Sequence, residues 1–246
     1  MKRCLIVIPA RLNSRRLPQK LLRKINSRPV LEWTWRAAVK ANLGPVVIAA
    51  DSKKIMSLCE NMGAKAVLTG AHIKSGTDRV YEVAKKYPHD FILNLQGDEP
   101  FIKPRILRDT FRKFLLLGDF DIATAALATT QKKVINDPNC VKVAISRSGR
   151  AVYFSRHPVP YHHELPVKTS KFPYYKHIGF YFYTRNSLSK FVRLRQSHLE
   201  KLERLEQLRA IENGMNIFVN VVKYDAPSID SSKDLTKARK YLKKRK

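Results

Sequence analysis

The stretch DFILNLQGDEP, residues 90–100, determines the predicted fold. Its first half is a short apolar run bounded by a turn, which is typical of a strand buried in a parallel sheet. The run stops at Gln96-Gly97, and the carboxylate of Asp98 follows at once. Ligands of open α/β sheets bind beyond the carboxyl ends of strands, so Asp98 is a candidate metal ligand. Alternatively, Asp98 caps a turn or a helix that begins near Pro104.

A second strand followed by a polar loop lies at the start of the chain. The apolar run Cys4–Ile8 predicts a strand, and the loop PARLNSRRLPQK (residues 9–20) follows it. Its cations are Arg11, Arg15, Arg16 and Lys20. These cations repel one another unless an anion or solvent lies among them. Because the loop lacks the glycine-rich dinucleotide and P-loop patterns, we expect cationic side chains to hold an anionic ligand there. A solvated basic loop is the alternative.

Strand-like and helix-like stretches alternate along the 246 residues, which predicts an α/β fold rather than a bundle or a sandwich. No linker or low-complexity segment divides the chain, so we expect a single domain spanning residues 1–246. Helices are expected at residues 29–40, 53–62, 78–86, 104–117, 198–213 and 233–241. Further strands are expected at residues 45–49, 65–68, 121–128, 141–146, 151–154, 174–183 and 217–222. Residues 158–173 are expected to form an exposed excursion.

Composition excludes several classes of protein. No apolar run is long enough to cross a bilayer, and no apolar signal segment follows the start, so we expect no membrane association. The three cysteines, Cys4, Cys59 and Cys140, lie far apart and lack metal-ligand spacing. They favour a reducing compartment, and we expect the protein to be cytoplasmic.

The charge is the most unusual bulk property of the chain. The sequence has 48 basic and 20 acidic residues, a formal net charge of +28. Such an excess suggests a partner such as nucleic acid or an anionic membrane. However, the excess is spread along the chain, with a dense run only at residues 237–246, and no nucleic-acid-binding signature is present. We therefore expect a solvated basic surface and a polyanionic substrate, and no specific binding of nucleic acid.

Several other polar positions have two explanations each. The turn at residues 75–79 could present backbone amides to a ligand or cap a helix. Asp230 could likewise be the cap of the last helix. Glu206 and Gln207 interrupt no apolar pattern in their predicted helix and would pass as a surface pair.

A set of short blocks, spread in order over nearly the whole chain, adds a more specific signal. The blocks are Ile8-Pro9-Ala10-Arg11-x-x-Ser14-x-Arg16-Leu17-Pro18-x-Lys20, Ser75–Arg79, Gln96–Pro100, Asn139–Val143, Tyr153–Arg156, His177-Ile178-Gly179-x-Tyr181, Leu205–Arg209 and Ile229-Asp230. Together they resemble the sugar-acid cytidylyltransferases. The Leu-Pro-x-Lys form of the first block resembles the branch that acts on 3-deoxy-manno-octulosonate (Kdo).

The resemblance implies a Rossmann-like nucleotidyltransferase fold with a mostly parallel central sheet and a small β-rich extension at residues 150–200. It implies that the extension serves sugar binding and homodimer formation. The implied reaction joins CTP and Kdo to give CMP-Kdo and pyrophosphate, with magnesium, for lipopolysaccharide biosynthesis. The implied site residues fall into three groups. Arg11, Ser14, Arg16, Lys20, Ser75, Thr77 and Arg79 would bind the nucleotide, Asp98 and Asp230 the metal, and Gln96, Arg156, His177, Tyr181, Glu206 and Gln207 the sugar.

The implied roles agree with the chemistry of phosphoryl transfer. Magnesium held by Asp98 and Asp230 would lower the repulsion between an anionic nucleophile and the triphosphate. Arg11 and Lys20 would stabilise the departing pyrophosphate. Two alternatives remain at this point: a cytidylyltransferase for another acidic sugar, such as 8-amino-Kdo or a sialic acid, and a basic nucleic-acid-binding protein on the same fold.

Overall fold

The computed structural model describes residues 3–14, 16–73, 75–161, 163, 173–223, 228–229 and 231–243. The elements of the first part are β1 Cys4–Ala10, β2 Lys24–Ile25, β3 Arg28–Pro29, α1 Val30–Ala41, β4 Val46–Ala50, α2 Lys53–Met62, β5 Ala66–Leu68, α3 Gly76–Ala84, β6 Phe91–Leu95 and α4 Pro104–Leu117. Those that follow are β7 Ile122–Thr129, α5 Lys132–Ile135, β8 Lys142–Ile145, β9 Ala151–Ser155, β10 Tyr174–Thr184, α6 Arg185–Arg193, α7 His198–Glu203, α8 Leu208–Glu212, β11 Ile217–Val222 and α9 Ser232–Lys243.

The chain divides into two compact units. The first comprises residues 1–108 and 226–246, and the second comprises residues 109–225. The expectation of one domain with an extension at residues 150–200 stays a prediction. Among the described residues, no helix combines the length and the apolar character that crossing a bilayer requires.

The first unit is built on a parallel sheet whose strands lie in the order β6, β1, β4 and β5. Every residue of β1 is buried, because helices cover both faces of such a sheet. The flanking helices carry their own start and stop signals. The Ser52 hydroxyl accepts a hydrogen bond from Ile55 N at the start of α2, and Gly63 ends that helix with a φ of 67°. The α/β prediction and the mostly parallel sheet are confirmed.

The second unit combines parallel and antiparallel pairing. Strand β7 lies between β11, with which it is parallel, and β10, with which it is antiparallel. Strand β8 pairs with both β10 and β9. Strands β8 and β9 form a hairpin, and its turn includes Gly149 at a φ of 81°. A residue with a side chain is strained in this left-handed conformation, which explains the glycine.

The prediction of one continuous helix over residues 198–213 is wrong. Helix α7 ends at Glu203, because Arg204 adopts a left-handed conformation with a φ of 54°. Helix α8 begins only at Leu208. The apolar spacing at both ends suggested one helix, but the backbone between them turns so that the carbonyl groups of Glu203 and Arg204 accept hydrogen bonds from Arg156. A tertiary contact therefore overrides helix periodicity here.

Candidate functional site

A polar cavity of about 250 Å³ lies in the first unit, beyond the carboxyl ends of β1 and β6. Its lining includes five residues that the sequence assigned to a site. These are Arg11, Ser14, Lys20, Gln96 and Asp98. Residues from the loop after β1 and from the turn after β6 therefore meet where ligands of parallel sheets bind.

The loop after β1 brings a cation directly to the carboxylate after β6. Lys20 Nζ lies 2.5 Å from Asp98 Oδ2, and both side chains are largely shielded, at 13% and 28% exposure. An ammonium and a carboxylate held this close, partly out of water, attract each other more strongly than an exposed pair does. The cavity thus contains paired opposite charges on its wall.

Asp51 fixes the shape of the basic loop, a role that the sequence analysis missed. The carboxylate of Asp51 accepts hydrogen bonds from Leu12 N at 3.0 and 3.1 Å, and Asp51 N donates to Ala10 O at 3.1 Å. The available signal was its position directly after the buried strand β4. Strand-end carboxylates can hold a neighbouring loop as well as a ligand.

The turn after β6 leaves little room for a side chain at Gly97. A Cβ atom there would lie 3.2 and 3.3 Å from the Leu21 methyl carbons and 3.3 Å from the backbone oxygen of Pro9. Thr34 Oγ1 also donates a hydrogen bond of 2.9 Å to Gly97 O. The absence of a side chain at Gly97 is therefore part of how Asp98 is placed.

We expect Gly97→Ala to destabilise the protein by about 1–2 kcal/mol, because the added methyl group overpacks against Leu21 and a backbone oxygen. The matched control is Gly76→Ala, since a Cβ atom at Gly76 would lie 3.8 Å from its nearest neighbours, atoms of Gln96 and Pro9. That substitution lies in the first turn of α3, and we expect unchanged or slightly higher stability. Chemical denaturation of both variants measures the difference. Equal stabilities would show that the turn relaxes freely.

The predicted nucleotide residues of α3 contribute hydrogen bonds within the protein. Ser75 caps the helix by accepting a hydrogen bond from Asp78 N at 2.9 Å. Arg79 is buried, with 1% exposure, and its guanidinium donates to Thr69 Oγ1 and to Ile73 O. Burial, followed by the charge of Arg11, lowers the pKa of Arg79. These side chains hold residues 69–73 and the start of α3 in place, and their nucleotide contacts stay a prediction.

A chain of amide hydrogen bonds links α3 to the cavity. Gln96 Nε2 donates to Asn94 Oδ1 at 3.1 Å, and Asn94 Nδ2 donates to Thr77 Oγ1 at 3.1 Å. Asn94 and Thr77 are buried, so these bonds satisfy groups that would otherwise be costly to desolvate. The chain orients Gln96 in the wall of the cavity. Gln96, predicted to contact the sugar, thus lies with the predicted nucleotide residues Arg11 and Lys20.

Two predicted site residues, Arg16 and Asp230, are not among those that the structure places in the cavity wall. Arg16 is exposed and is not in the cavity wall. Asp230 lies outside the described residues, so its approach to Asp98 stays a prediction. The residue before it, Ile229, is buried, and Ile229 N donates a hydrogen bond of 3.1 Å to Asp98 O. Within the described part of the chain, no group of three or more His, Cys, Asp or Glu side chains could hold a metal ion.

The predicted sugar residues His177 and Tyr181 form a cluster on β10 in the second unit. Their rings stack with centroids 5.2 Å apart, and Phe154 packs edge-on against His177 at 5.2 Å. His177 Nε2 lies 2.9 Å from Thr124 Oγ1. Burial lowers the pKa of His177 to about 3 and raises the pKa of Tyr181. Both side chains are therefore neutral near pH 7.

We expect His177 to make the protein less stable in mild acid. Its pKa is about 3 in the folded state and about 6.5 in the unfolded state, so only the unfolded state gains a proton between these values. Its effect on stability is absent above pH 6.5 and grows as the pH falls towards 3. Between pH 7.5 and 5.5, the wild type should lose about 1 kcal/mol more unfolding free energy than His177→Asn. Equal losses in denaturation experiments would contradict this expectation.

Arg156 is held by backbone carbonyl groups around the end of β9. Its Nε donates to Glu203 O at 2.9 Å and its Nη1 donates to Pro138 O at 3.1 Å. The carboxylate of Glu203 in turn accepts from Arg156 N at 2.9 Å and from Ser155 Oγ at 2.5 Å. The guanidinium is therefore fixed in place by carbonyl oxygens.

Lys142 holds the backbone at Arg156 in place, a role that the sequence analysis missed. Its side chain is fully buried, and its ammonium donates to Asp137 O at 2.9 Å, Cys140 O at 2.6 Å and Arg156 O at 2.5 Å. Burial lowers the pKa of Lys142. A lysine within a predicted strand gave no signal, because strand patterns place such residues on a solvent face.

Glu206 and Gln207 lie in the turn between α7 and α8, so they are not the surface pair of a continuous helix. Gln207 is buried, with 7% exposure. Glu206 is half-buried, and its charge contributes to the raised pKa of Tyr181. Glu206 therefore lies near the aromatic cluster of β10.

Comparison with known proteins identifies the family. Residues 5–217 match the family model described as cytidylyltransferase. The chain is 45% identical to a 3-deoxy-manno-octulosonate cytidylyltransferase of Elusimicrobium minutum, over 97% of this chain and 98% of the relative. It is 40% identical to the protein of the same name in Rickettsia prowazekii, over 97% of this chain and 95% of the relative.

Solved structures agree with these relatives. A structure described as CMP:2-keto-3-deoxy-manno-octonic acid synthetase complexed with CTP superimposes with a TM-score of 0.91 at 34% identity, covering all of both chains. A cytidylyltransferase of Leptospira borgpetersenii shares the fold, with a TM-score of 0.63 at 16% identity, over 100% of this chain and 95% of that one. This chain belongs to the cytidylyltransferase family, and within that family to the 3-deoxy-manno-octulosonate cytidylyltransferases.

Proposed function

We propose that this protein transfers CMP from CTP to Kdo, giving CMP-Kdo and pyrophosphate for lipopolysaccharide biosynthesis. The observation that carries the proposal is the cavity beyond β1 and β6, where Arg11, Lys20 and Asp98 lie together. The names of the relatives, 3-deoxy-manno-octulosonate cytidylyltransferases at up to 45% identity, support the choice of sugar. Another acidic sugar as the acceptor is the alternative.

In this proposal, the cations of the loop after β1 bind the outer phosphates of CTP. Arg11 and Lys20 reach the cavity from that loop, with Ser14 beside them. Arg16 is proposed to support the loop. Charge-assisted hydrogen bonds from these cations favour the pyrophosphate as negative charge develops on it. Ser75, Thr77 and Arg79 shape the cytidine side through the helix cap and the loop that they hold.

Asp98 is suited to holding magnesium. Its carboxylate lies in the cavity wall, is partly exposed and already attracts the ammonium of Lys20. Oxygen ligands of this type are those that Mg²⁺ prefers, usually one or two carboxylates with substrate phosphates. We propose Asp98 and Asp230 as the two carboxylates. Bound magnesium would supply charge neutralisation at the reacting phosphate.

We propose that the predicted sugar residues of the second unit bind the sugar acid, and Gln96 of the first unit stays a predicted sugar contact. Among the described residues, the guanidinium of Arg156 donates three of its five N–H groups to carbonyl oxygens, which leaves two for a carboxylate. His177, Glu206 and Gln207 are proposed to bond hydroxyl groups, and Tyr181 packs against His177. Neutral His177 can accept a hydrogen bond without adding charge.

We also propose that the protein is a cytoplasmic homodimer. Among the described residues, Cys4, Cys59 and Cys140 form no disulfide, which fits a reducing compartment. Strand β9 pairs only with β8 in the described part of the sheet, and Val152 on it is 57% exposed. An edge strand with an exposed apolar side chain is suited to pairing with a second copy. Light scattering of the purified protein measures the mass.

The test of the function is pyrophosphate release from CTP in the presence of a panel of acidic sugars. Kdo should give the highest kcat/KM, with 8-amino-Kdo and a sialic acid as the competing acceptors. Turnover should persist at moderate salt. Binding of nucleic acid by this basic chain, the competing function, would instead fall steeply with salt. Higher kcat/KM with another sugar would change the substrate. No release with any sugar would refute the proposed function.

Lys20→Ala should raise the KM for CTP by about tenfold or more and change the KM for Kdo little, because the ammonium is proposed to contact the phosphates. The control is Lys54→Ala, an exposed lysine whose Nζ bonds Gln19 Oε1 at 3.0 Å. We expect that variant to behave like the wild type. Steady-state kinetics with each substrate varied in turn measures both constants. An effect confined to Kdo would contradict the phosphate role.

A further inference from the structure

The hydroxyl group of Thr124 lies at the back of the His177 ring. Thr124 is fully buried on β7, and β7 pairs with the strand β10 that carries His177. Its Oγ1 lies 2.9 Å from His177 Nε2, 2.7 Å from Phe180 O and 3.3 Å from Ile178 O. One hydroxyl proton thus has two carbonyl groups and one ring nitrogen within reach.

The carbonyl groups decide where the hydroxyl proton lies. A carbonyl oxygen can only accept, and two oxygens 2.7 Å apart without a proton between them would repel each other. The Thr124 hydroxyl therefore donates to Phe180 O. Its oxygen is then left to accept, so His177 Nε2 must carry the proton and donate to Thr124 Oγ1.

This assignment fixes the state of the other ring nitrogen. A neutral imidazole carries one proton, so Nδ1 of His177 holds a lone pair. Burial keeps the ring neutral near pH 7 by lowering its pKa to about 3. Within the described residues, the ring's only hydrogen bond is the one to Thr124, and the ring stacks on Tyr181 and makes a T-shaped contact with Phe154. The ring is thus clamped with an acceptor at Nδ1.

We propose that Thr124 is a positioning residue that holds His177 as the Nε2–H tautomer, so that Nδ1 accepts a hydrogen bond from a hydroxyl group of the sugar acid. This inference rests on the proposed function. It adds a direction to the contact, because the sugar oxygen must be the donor. An oxygen without a proton at that position would face the Nδ1 lone pair and be repelled.

The first experiment reads the tautomer on the free, full-length protein. Ring nitrogen and carbon-bound proton signals of ¹⁵N-histidine-labelled protein distinguish a protonated from an unprotonated nitrogen. The chain has seven histidines, and the spectrum of His177→Gln identifies the signals of His177. We expect the proton on Nε2 in the wild type and a different or mixed tautomer in Thr124→Val. A proton on Nδ1 in the wild type would overturn the proposal.

The second experiment measures the effect on substrates. Loss of one buried hydrogen bond corresponds to about fivefold in affinity, so Thr124→Val should raise the KM for Kdo about fivefold. The KM for CTP should stay within about twofold, and Thr124→Ser should restore the wild-type values because it keeps the hydroxyl. The control is Thr129→Val, a buried threonine of the same strand whose Oγ1 accepts from Gln131 N.

The outcomes separate this inference from the function on which it rests. An unchanged KM for Kdo in Thr124→Val, or equal effects of Thr124→Val and Thr129→Val, would overturn the role of Thr124. If Thr124→Val does not fold, Thr124→Ser with wild-type tautomer and KM supports the proposal, and Thr124→Ser with an altered tautomer contradicts it. Absence of turnover with every sugar would refute the proposed function, while the tautomer would still decide whether Thr124 sets the ring.

Discussion

Asp98→Asn should reduce magnesium-dependent CMP transfer by about 100-fold or more, and the protein should stay folded. The carboxylate lies in the cavity wall, where it is the described partner of Lys20 and the proposed ligand of magnesium. An amide of the same shape supplies one neutral oxygen, so it attracts the cation much less. Losing one electrostatic group aimed at developing charge costs a factor of this size in other enzymes. Pyrophosphate release over a range of magnesium concentrations measures the effect.

The control for this variant is Asp90→Asn. Asp90 is exposed just before β6, at the opposite end of the strand from Asp98. Asp90→Asn changes the net charge by the same amount as Asp98→Asn, so any effect of net charge alone would appear in both variants. Wild-type rates are expected for Asp90→Asn. If Asp98→Asn kept near-normal rates at every magnesium concentration, the metal assignment would be wrong.

Lys142→Met should lower the free energy of unfolding by about 3 kcal/mol. Three carbonyl groups, those of Asp137, Cys140 and Arg156, accept hydrogen bonds from the buried ammonium. Methionine has a similar length but no donor, so these acceptors would be left without this partner inside the protein. Leaving a buried acceptor unpaired costs about 1–3 kcal/mol, and the relief of no longer burying the ammonium offsets part of the sum over three acceptors. For a chain of this size the melting temperature should fall by about 10 °C.

The control is Lys133→Met, an exposed lysine of α5 in the same unit, which should change stability by less than about 0.5 kcal/mol. Denaturation curves of the two variants give the comparison. The KM for the sugar acid should also rise in Lys142→Met, because the backbone of Arg156 loses its anchor. Equal stability of the two variants would show that the three carbonyl groups find other partners.

The parallel sheet of the first unit was the most predictable part of the fold. Its strands are short apolar runs followed by polar turns, and the helices between them begin and end at Ser52, Gly63 and Ser75, which are cap residues by type. The second unit was harder to predict. Helix α6, Arg185–Arg193, was not expected, and the break at Arg204 was missed. Both depend on contacts between segments distant in sequence.

The site divides in the same way. Positions after strand ends made Arg11, Lys20 and Asp98 candidate ligand-binding residues, and in the structure all three line one cavity. Spacing could not predict that Arg79 and Thr77 would turn inward to hold the loop and strand around the cavity. Nor could it reveal Thr124 or Lys142, since a buried threonine or lysine is ordinary in sequence and acquires a role only from its neighbours in space.

The interruption between α7 and α8 has a consequence for engineering this protein. Residues that favour a regular helix at positions 204–207 would make the segment more rigid and raise the melting temperature of the protein. The backbone oxygens of Glu203 and Arg204 would then return to intrahelical bonding and no longer hold the guanidinium of Arg156. A thermostable design made by smoothing this irregularity would therefore release the guanidinium that we propose to hold the sugar carboxylate, so heat resistance and substrate capture would compete at the same four residues.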